Sequence, residues 1–409
     1  MSSNKFFPNK PVPPEKFVGR KSELYTIFDQ VNNRGHVAIH GASGMGKSSL
    51  LDYIKYPHFW DDKGLNFSEA LIVYHNCEGS FTPNSFWQEI LQELRNEAEG
   101  DTDLQSKIDD VLKLETIEIR DIRRILKQIG KRNKFLLLLL DDYNGILRTP
   151  EYYSKDYQKS REVQTFLSGL RNLAVHSTES QYFSTVVAAF QKVDELGPEI
   201  PRGGSPWYNH YLYVDLKPFS REDINNYFFN SDSHFFISIP ENIQKEKVLE
   251  ITSGYPILLQ QAGYIFSKLD RVIDINTFKA ELKNQTEQIF KDIWRELTTD
   301  EQKLLQLIVI DNFKGEVNGK RYSHDGIDQV FEENKYKLTT LEQKGVISQS
   351  PDQDKYNFSS SLMQDLVLQK LAESIWDPKK GKILFDSFGT KINYEQSMIE
   401  ELLGIIPFN

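Results

Sequence analysis

The chain has 409 residues, enough for two or three domains and a large core. Hydrophobic residues make up 39% and charged residues 26%, a globular balance, while the formal net charge of −10 is opposite in sign to that of proteins that coat nucleic acid without sequence preference. A single cysteine, Cys77, excludes an intramolecular disulfide and fits a reducing cytoplasm, and the longest aliphatic run, Leu136–Leu140, is far short of the ~20 residues that span a bilayer, so no membrane partner is expected.

Residues 1–16 are polar and Pro-rich (Pro8, Pro11, Pro13, Pro14) and read as an extended lead-in. From Phe17 to Pro218, short β-branched or aliphatic runs alternate with helical stretches. Strands are expected at Val37–His40, Ala70–Asn76, Phe135–Leu140, Thr185–Phe190 and Tyr211–Leu216, with helices such as Ser48–Ile54, Asn84–Arg95 and Arg161–Leu173 between them. That alternation predicts an α/β domain over 17–218, a mostly parallel sheet covered by helices. Over 219–292 the strand signal disappears. Ser220 can cap a helix beginning Arg221-Glu222-Asp223, and Ser253-Gly254-Tyr255-Pro256 interrupts what reads as a small helical domain.

Over 293–374 the pattern changes again. Thr299-Asp300-Glu301-Gln302 reads as a capping box before an apolar helix, a second helix covers Gly326–Phe331, and a third runs from Lys335 to Lys344 and stops at Gly345. Val346–Ser350 and Lys355–Phe358 then flank a turn at Pro351–Asp354. Three helices followed by a hairpin is the order of a winged helix. Residues 375–409 form a tail with a short helix near Tyr394–Leu403 and an apolar end.

The strongest chemical signal is Gly41-Ala42-Ser43-Gly44-Met45-Gly46-Lys47-Ser48, the P-loop spacing, with a strand before it and a helix after it. Glycines let backbone N–H groups turn inward around phosphates, and the helix start points its positive dipole end at them. The loop and Ser49 behind it are therefore the expected contacts of ATP or ADP. Lys47 reaches the β- and γ-phosphates and the Ser48 hydroxyl ligates Mg²⁺. A P-loop also needs an acid at the end of a buried strand to orient the metal. Phe135–Leu140 is such a strand and Asp141-Asp142 follow it, which gives Asp141 to Mg²⁺ and Asp142 to polarising the attacking water. Aspartate is one methylene shorter than glutamate, so slow ATP hydrolysis is expected. The alternative for Asp142 is the cap of a short helix around Tyr143–Leu147. Gln191, just past the next strand, can sense the γ-phosphate or be a surface glutamine, and Arg202 can serve a neighbouring subunit's nucleotide as a finger or be an ordinary loop arginine.

Taken together these motifs resemble those of STAND and archaeal-type AAA+ ATPases. Phe17-Val18-Gly19-Arg20-Lys21-Ser22-Glu23-Leu24 is similar to the family's entry motif, which implies packing of Phe17, Val18, Gly19 and Arg20 by the adenine base. Ser253-Gly254-Tyr255-Pro256 resembles the lid motif whose proline, here Pro256, lies by the nucleotide. Leu362-Met363-Gln364-Asp365 resembles the Met-His-Asp motif of the NB-ARC branch, with Gln364 where the family's histidine contacts ADP; a glutamine can donate one hydrogen bond but cannot become cationic. A plain amphipathic helix is the alternative there.

The resemblance spans 17–372 and implies a P-loop AAA+ domain, a helical lid domain and a winged-helix domain. It implies an ATP/ADP-operated switch, in signalling or defence, that assembles with itself as a homo-oligomer or with a separate effector or sensor protein. A winged helix after an AAA+ module also resembles DNA-handling initiators and transposition ATPases, so duplex DNA is the competing partner. Against it, Lys335, Lys337 and Lys344 of the third helix are accompanied by Glu332, Glu333 and Glu342, a poor face for phosphates. The eight histidines show no ligand spacing, so zinc is not expected.

Overall fold

The computed structural model describes residues 5–62, 65–148, 152–153, 156–200, 203–268, 273–312, 316–317, 320–321, 326–349 and 355–375. Arg202, the 351–354 turn and the helix expected near Tyr394–Leu403 lie outside the described residues. The chain forms two compact units. One comprises Lys10–Gly41 and Gly46–Leu216; the other comprises Met1–Asn9, Ala42–Met45 and the chain from Lys217 onward.

The first unit is built on a parallel sheet of β1 (His36–His40), β2 (Ala70–Asn76), β3 (Phe135–Asp141), β4 (Phe183–Ala189) and β5 (Tyr211–Asp215), in the order β2-β3-β4-β1-β5. Strands β3 and β4 are buried along their whole length, which is why β3 reads as an unbroken apolar run up to Leu140, while β4 carries Ser184 and Thr185 within its apolar sequence. The strand ends move slightly from expectation. Phe183 and Ser184 join β4 because they pair with Leu136 and Leu137 of β3, and Phe190 leaves it.

Helices α1 (Lys21–Asn32), α2 (Lys47–Ile54), α3 (Pro57–Asp62), α4 (Pro83–Glu97), α5 (Thr102–Leu112), α6 (Ile119–Gly130), α7 (Asn144–Leu147) and α8 (Tyr157–Arg171) accompany the sheet. In α4 a Thr82–Ser85 capping box fixes the start, and Phe86, Trp87, Ile90, Leu91 and Leu94 form one buried stripe at helical spacing against β2. At about 1.5–3 kcal/mol for each large apolar side chain, that stripe is a major anchor of this unit. Helix α8 ends at Arg171 rather than Leu173, because a π turn over Asn172–His176 takes over. The α/β parallel-sheet class expected for this region is the one observed.

The second unit is helical. In chain order it holds α9 (Arg221–Phe228), α10 (Lys245–Thr252), α11 (Pro256–Lys268), α12 (Ile275–Glu296) and α13 (Thr299–Asn312), then a two-stranded ladder of β6 (Glu316–Val317) and β7 (Lys320–Arg321). Next come α14 (Ile327–Glu333), α15 (Lys335–Gln343), the antiparallel pair β8 (Ile347–Gln349) and β9 (Tyr356–Phe358), and α16 (Ser361–Ile375). Ser220 and Asp223 form the expected capping box of α9. The cap of α13 is one residue earlier than expected. Thr298, not Thr299, faces Glu301: Glu301 N–H donates to Thr298 Oγ1 at 3.3 Å and Thr298 N–H to Glu301 Oε2 at 2.8 Å. The β6–β7 ladder was not legible in the sequence. Gly345, at φ 72°, ends α15 in the left-handed conformation that favours glycine.

The beginning of the lead-in is more than polar spacer. Phe6 and Phe7 are buried, and Phe7 N–H donates to Gln260 Oε1 of α11 at 3.0 Å. The Phe6 ring occupies the space beside Gly263, where a Cβ would lie 2.1 Å from Phe6 Cε1.

Candidate nucleotide site

The sheet order places the three functional strand ends side by side. The P-loop follows β1, Asp141 closes β3, and β4, which leads to Gln191, lies between them. This is where an open parallel sheet offers a crevice at its carboxyl edge. Gly44 (φ 83°) and Gly46 (φ 89°) give the loop its two left-handed residues, and a Cβ on Gly41 would meet the Leu216 carbonyl at 2.5 Å. Helix α2 begins at Lys47 directly behind Gly46. Lys47 Nζ donates to the Gly41 carbonyl at 2.8 Å, which folds the ammonium across the loop that its backbone N–H groups line.

The residues around the loop are anchored to α2. Gly19 (φ 76°) and Arg20 (φ 60°) are consecutive left-handed residues that turn the chain into α1, and buried Arg20 pairs with Glu23 at 3.1 Å. Phe17 stacks on Tyr53 of α2, with ring centroids 4.6 Å apart, and Val18 lies between that stacked ring and the turn. Ser49 is buried and its hydroxyl accepts from Val12 N–H at 3.0 Å, so its side chain serves the lead-in while Ser48, half-buried, stays at the loop. Gln191 is buried rather than a surface residue.

The two acids are built differently. Asp141 is only 1% exposed. Its Oδ2 accepts from the Tyr74 hydroxyl at 3.0 Å and its Oδ1 from Asp142 N–H at 3.0 Å. Among the described residues no lysine, arginine or histidine forms an ion pair with it. Asp142 stands at φ 48°, a strained backbone for a non-glycine residue, and its Oδ2 accepts from Asn76 Nδ2 at 2.9 Å. Burial, reinforced by the neighbouring Asp141 charge, raises the Asp142 pKa above the ordinary carboxylate value; the Asn76 hydrogen bond and the Lys47 charge pull the other way. The short helix α7 starts at Asn144, and Asp142 serves it only through its backbone carbonyl, which accepts from Gly145 N–H at 2.7 Å. Cys77, at the end of β2, is buried, and burial pushes its thiol well up from the ordinary value, which makes it inert.

The tip of the loop, residues 42–45, packs with the helical unit. Gly44 carbonyl accepts from Ile257 N–H at 3.3 Å, and a Cβ on Gly44 would lie 2.5 Å from Ile257 Cγ2. Ile257 is the second residue of α11, directly after Pro256, whose missing N–H suits the first helical position. The preceding Ser253 (φ 44°) and Gly254 (φ 78°) form the turn, and Phe219 N–H closes it on the Gly254 carbonyl at 2.8 Å. Met45, 1% exposed, meets Gly345, where a Cβ would lie 3.0 Å from Met45 Cε. Gln364 lies in the first turn of α16, a helix packed on α10, α12 and α13. Lys337 and Lys344, two of the three lysines counted for a nucleic-acid face, are engaged within the fold: Lys337 with Asp300 at 2.6 Å, and buried Lys344 with buried Glu301. Sequence reasoning missed Tyr74 and Asn76 as partners of the two acids; it placed Met45 in the loop but not against Gly345.

Residues 30–187 match the model of the AAA domain, a segment that contains the P-loop and both acids. A comparison with curated proteins gives no match. Among solved structures, the Walker-type ATPase of Pyrococcus abyssi aligns at 16% identity with a TM-score of 0.54, covering 89% of this chain and 99% of that one. The Aeropyrum pernix ORC2 protein aligns at 12% identity and TM-score 0.47, covering 91% and 99%. The Aeropyrum pernix ORC1 protein in complex with DNA aligns at 13% identity and TM-score 0.38, covering 89% and 94%. The fold is the α/β P-loop AAA+ fold with a helical region after it. No helix among the described residues is long and apolar enough to cross a membrane.

Proposed function

We propose that this chain is an AAA+ ATPase operated as a nucleotide switch, with ATP or ADP on the P-loop, slow hydrolysis, and a nucleotide state that the helical unit reads. The observation that carries the reading is the membership of loop residues 42–45 in that unit: Gly44 bonds to Ile257 and Met45 packs on Gly345. A γ-phosphate that reorders the loop thereby changes contacts made by α11 and by the end of α15, which is the differential interaction a switch requires.

The donor set fits Mg²⁺. A Ser48 hydroxyl and one buried carboxylate, Asp141, suit an ion that keeps waters and takes its other oxygens from phosphate, and no cluster of three His, Cys, Asp or Glu side chains is needed or found among the described residues. Mg²⁺ held there would neutralise phosphate charge. Lys47 binds the β- and γ-phosphates, and Asp142, held by Asn76 and raised in pKa, takes the proton of the attacking water. Phe17 offers adenine a ring already stacked on Tyr53, Gln191 senses the γ-phosphate, and Pro256 brings α11 to the loop.

Two settings follow for such a switch. Action on duplex DNA takes its support from the order AAA+ domain, helices α13, α14 and α15, then the β8–β9 pair, read as a winged helix; one compared structure is titled as an ORC1 protein in complex with DNA. STAND-type assembly with itself or an effector protein is supported by Lys337 and Lys344, whose charges are spent inside the fold.

Native mass spectrometry of the full chain, with ADP and then a slowly hydrolysed ATP analogue, separates the two when run beside fluorescence anisotropy of labelled duplex DNA. A rise in oligomeric mass under the analogue supports the assembling switch. Tight duplex binding with a steep salt slope supports the DNA-handling ATPase. Absence of bound nucleotide under every condition refutes both.

A further inference from the structure

We infer that Tyr74 is a positioning residue for the metal acid, an inference that rests on the reading of Asp141 given above. Strand β2 pairs in parallel with β3 so that Tyr74 lies opposite Leu139 and Asn76 opposite Asp141. From that register the Tyr74 hydroxyl donates to Asp141 Oδ2 at 3.0 Å. The other oxygen, Oδ1, accepts from Asp142 N–H at 3.0 Å, so each carboxylate oxygen has one fixed donor and the carboxylate plane is set from two strands' ends. An ionised carboxylate offers about four lone-pair sites, so two remain for a metal ion or its waters.

The ring of Tyr74 is itself held. Lys55, directly after α2, places its ammonium 5.2 Å from the ring centroid. The phenol is thus fixed between the end of the P-loop helix and the acid it orients. A half-buried tyrosine could satisfy its hydroxyl with solvent; here it is spent on Asp141, a carboxylate that is almost fully buried. Groups that orient a metal-binding carboxylate from outside typically carry about tenfold or more of the metal affinity.

The test is titration of the full chain with a fluorescent ADP analogue, in EDTA and across a Mg²⁺ series, for the unaltered protein, Tyr74→Phe and Asp141→Asn. The expected result for Tyr74→Phe is unchanged nucleotide affinity in EDTA and a Mg²⁺ half-saturation raised by about tenfold. A half-saturation within about twofold of the unaltered protein, with Asp141→Asn clearly raised, overturns the role of Tyr74 and leaves the Asp141 reading standing. No Mg²⁺ effect in either variant overturns the Asp141 reading and this inference with it. An equal loss of affinity with and without Mg²⁺ in Tyr74→Phe marks a structural role and overturns the inference.

Discussion

Lys344→Met tests whether the end of α15 is a packing element. Lys344 is 1% exposed and Glu301 3% exposed, and their side chains form an ion pair within the helical unit. Glu301 Oε2 also accepts from Thr298 N–H at 2.8 Å and from Thr298 Oγ1 at 3.0 Å, and these bonds survive the substitution. What is lost is the cation that pairs, among the described residues, with a carboxylate that remains buried. Removing one partner of a buried pair costs about 3–5 kcal/mol. For a unit of this size that corresponds to a fall of roughly 6–20 °C in melting temperature.

The assay is urea denaturation of the full chain followed by circular dichroism and tryptophan fluorescence, with Trp294 of α12 reporting the helical unit. One transition should move to lower urea with its slope unchanged. The double variant Lys344→Met/Glu301→Leu should recover most of the loss, because replacing both members of a buried pair by apolar groups is often close to neutral. Duplex DNA affinity, if present, should be unaffected, since this ammonium does not face solvent. A midpoint shift worth less than about 1 kcal/mol in the single variant would refute the reasoning.

Acid should weaken the first unit through His36 and His210. Burial is the main cause for both, holding His36 at about 4 and His210 at about 3, below the ordinary 6.5. Their folded values are depressed, so the unfolded chain binds more protons between those values and 6.5. The contribution is fully present above about pH 6.5 and is lost as pH falls toward 4, by about 3 kcal/mol for His36. Denaturation midpoints between pH 7 and 4.5 check this, and His36→Phe should flatten the dependence. Gly263→Ala removes the space that Phe6 fills. A helix-propensity gain of about 1 kcal/mol should be outweighed by losing about 1.5–3 kcal/mol of phenylalanine burial, and chymotrypsin cleavage after Phe6 should accelerate.

The strands were legible because buried parallel strands are written as plain apolar runs, Phe135–Leu140 above all, and the P-loop because its spacing is dictated by the phosphates it wraps. Thr299 reads as the cap because Thr298–Glu301 and Thr299–Gln302 both have the capping-box spacing; the structure uses the first, and Gln302 bonds instead to the Trp294 and Leu297 carbonyls. Tyr74 and Asn76 were illegible because their partners are set by the β2–β3 register, which no local pattern encodes. Phe6 and Phe7 were hidden in a Pro-rich segment whose burial depends on a glycine far along the chain, Gly263. Lys344 read as part of a basic face because charge, unlike periodicity, does not reveal which way a side chain points.

The central claim is that ATP or ADP sits on the Gly41–Ser48 loop with Lys47 on its phosphates. Isothermal titration of ADP and a slowly hydrolysed ATP analogue into the full chain and into Lys47→Ala tests it most directly. The account predicts one site per chain and a loss of about tenfold to a hundredfold in affinity for Lys47→Ala, the scale of a charge-assisted phosphate contact. Full retention of affinity by Lys47→Ala would contradict it.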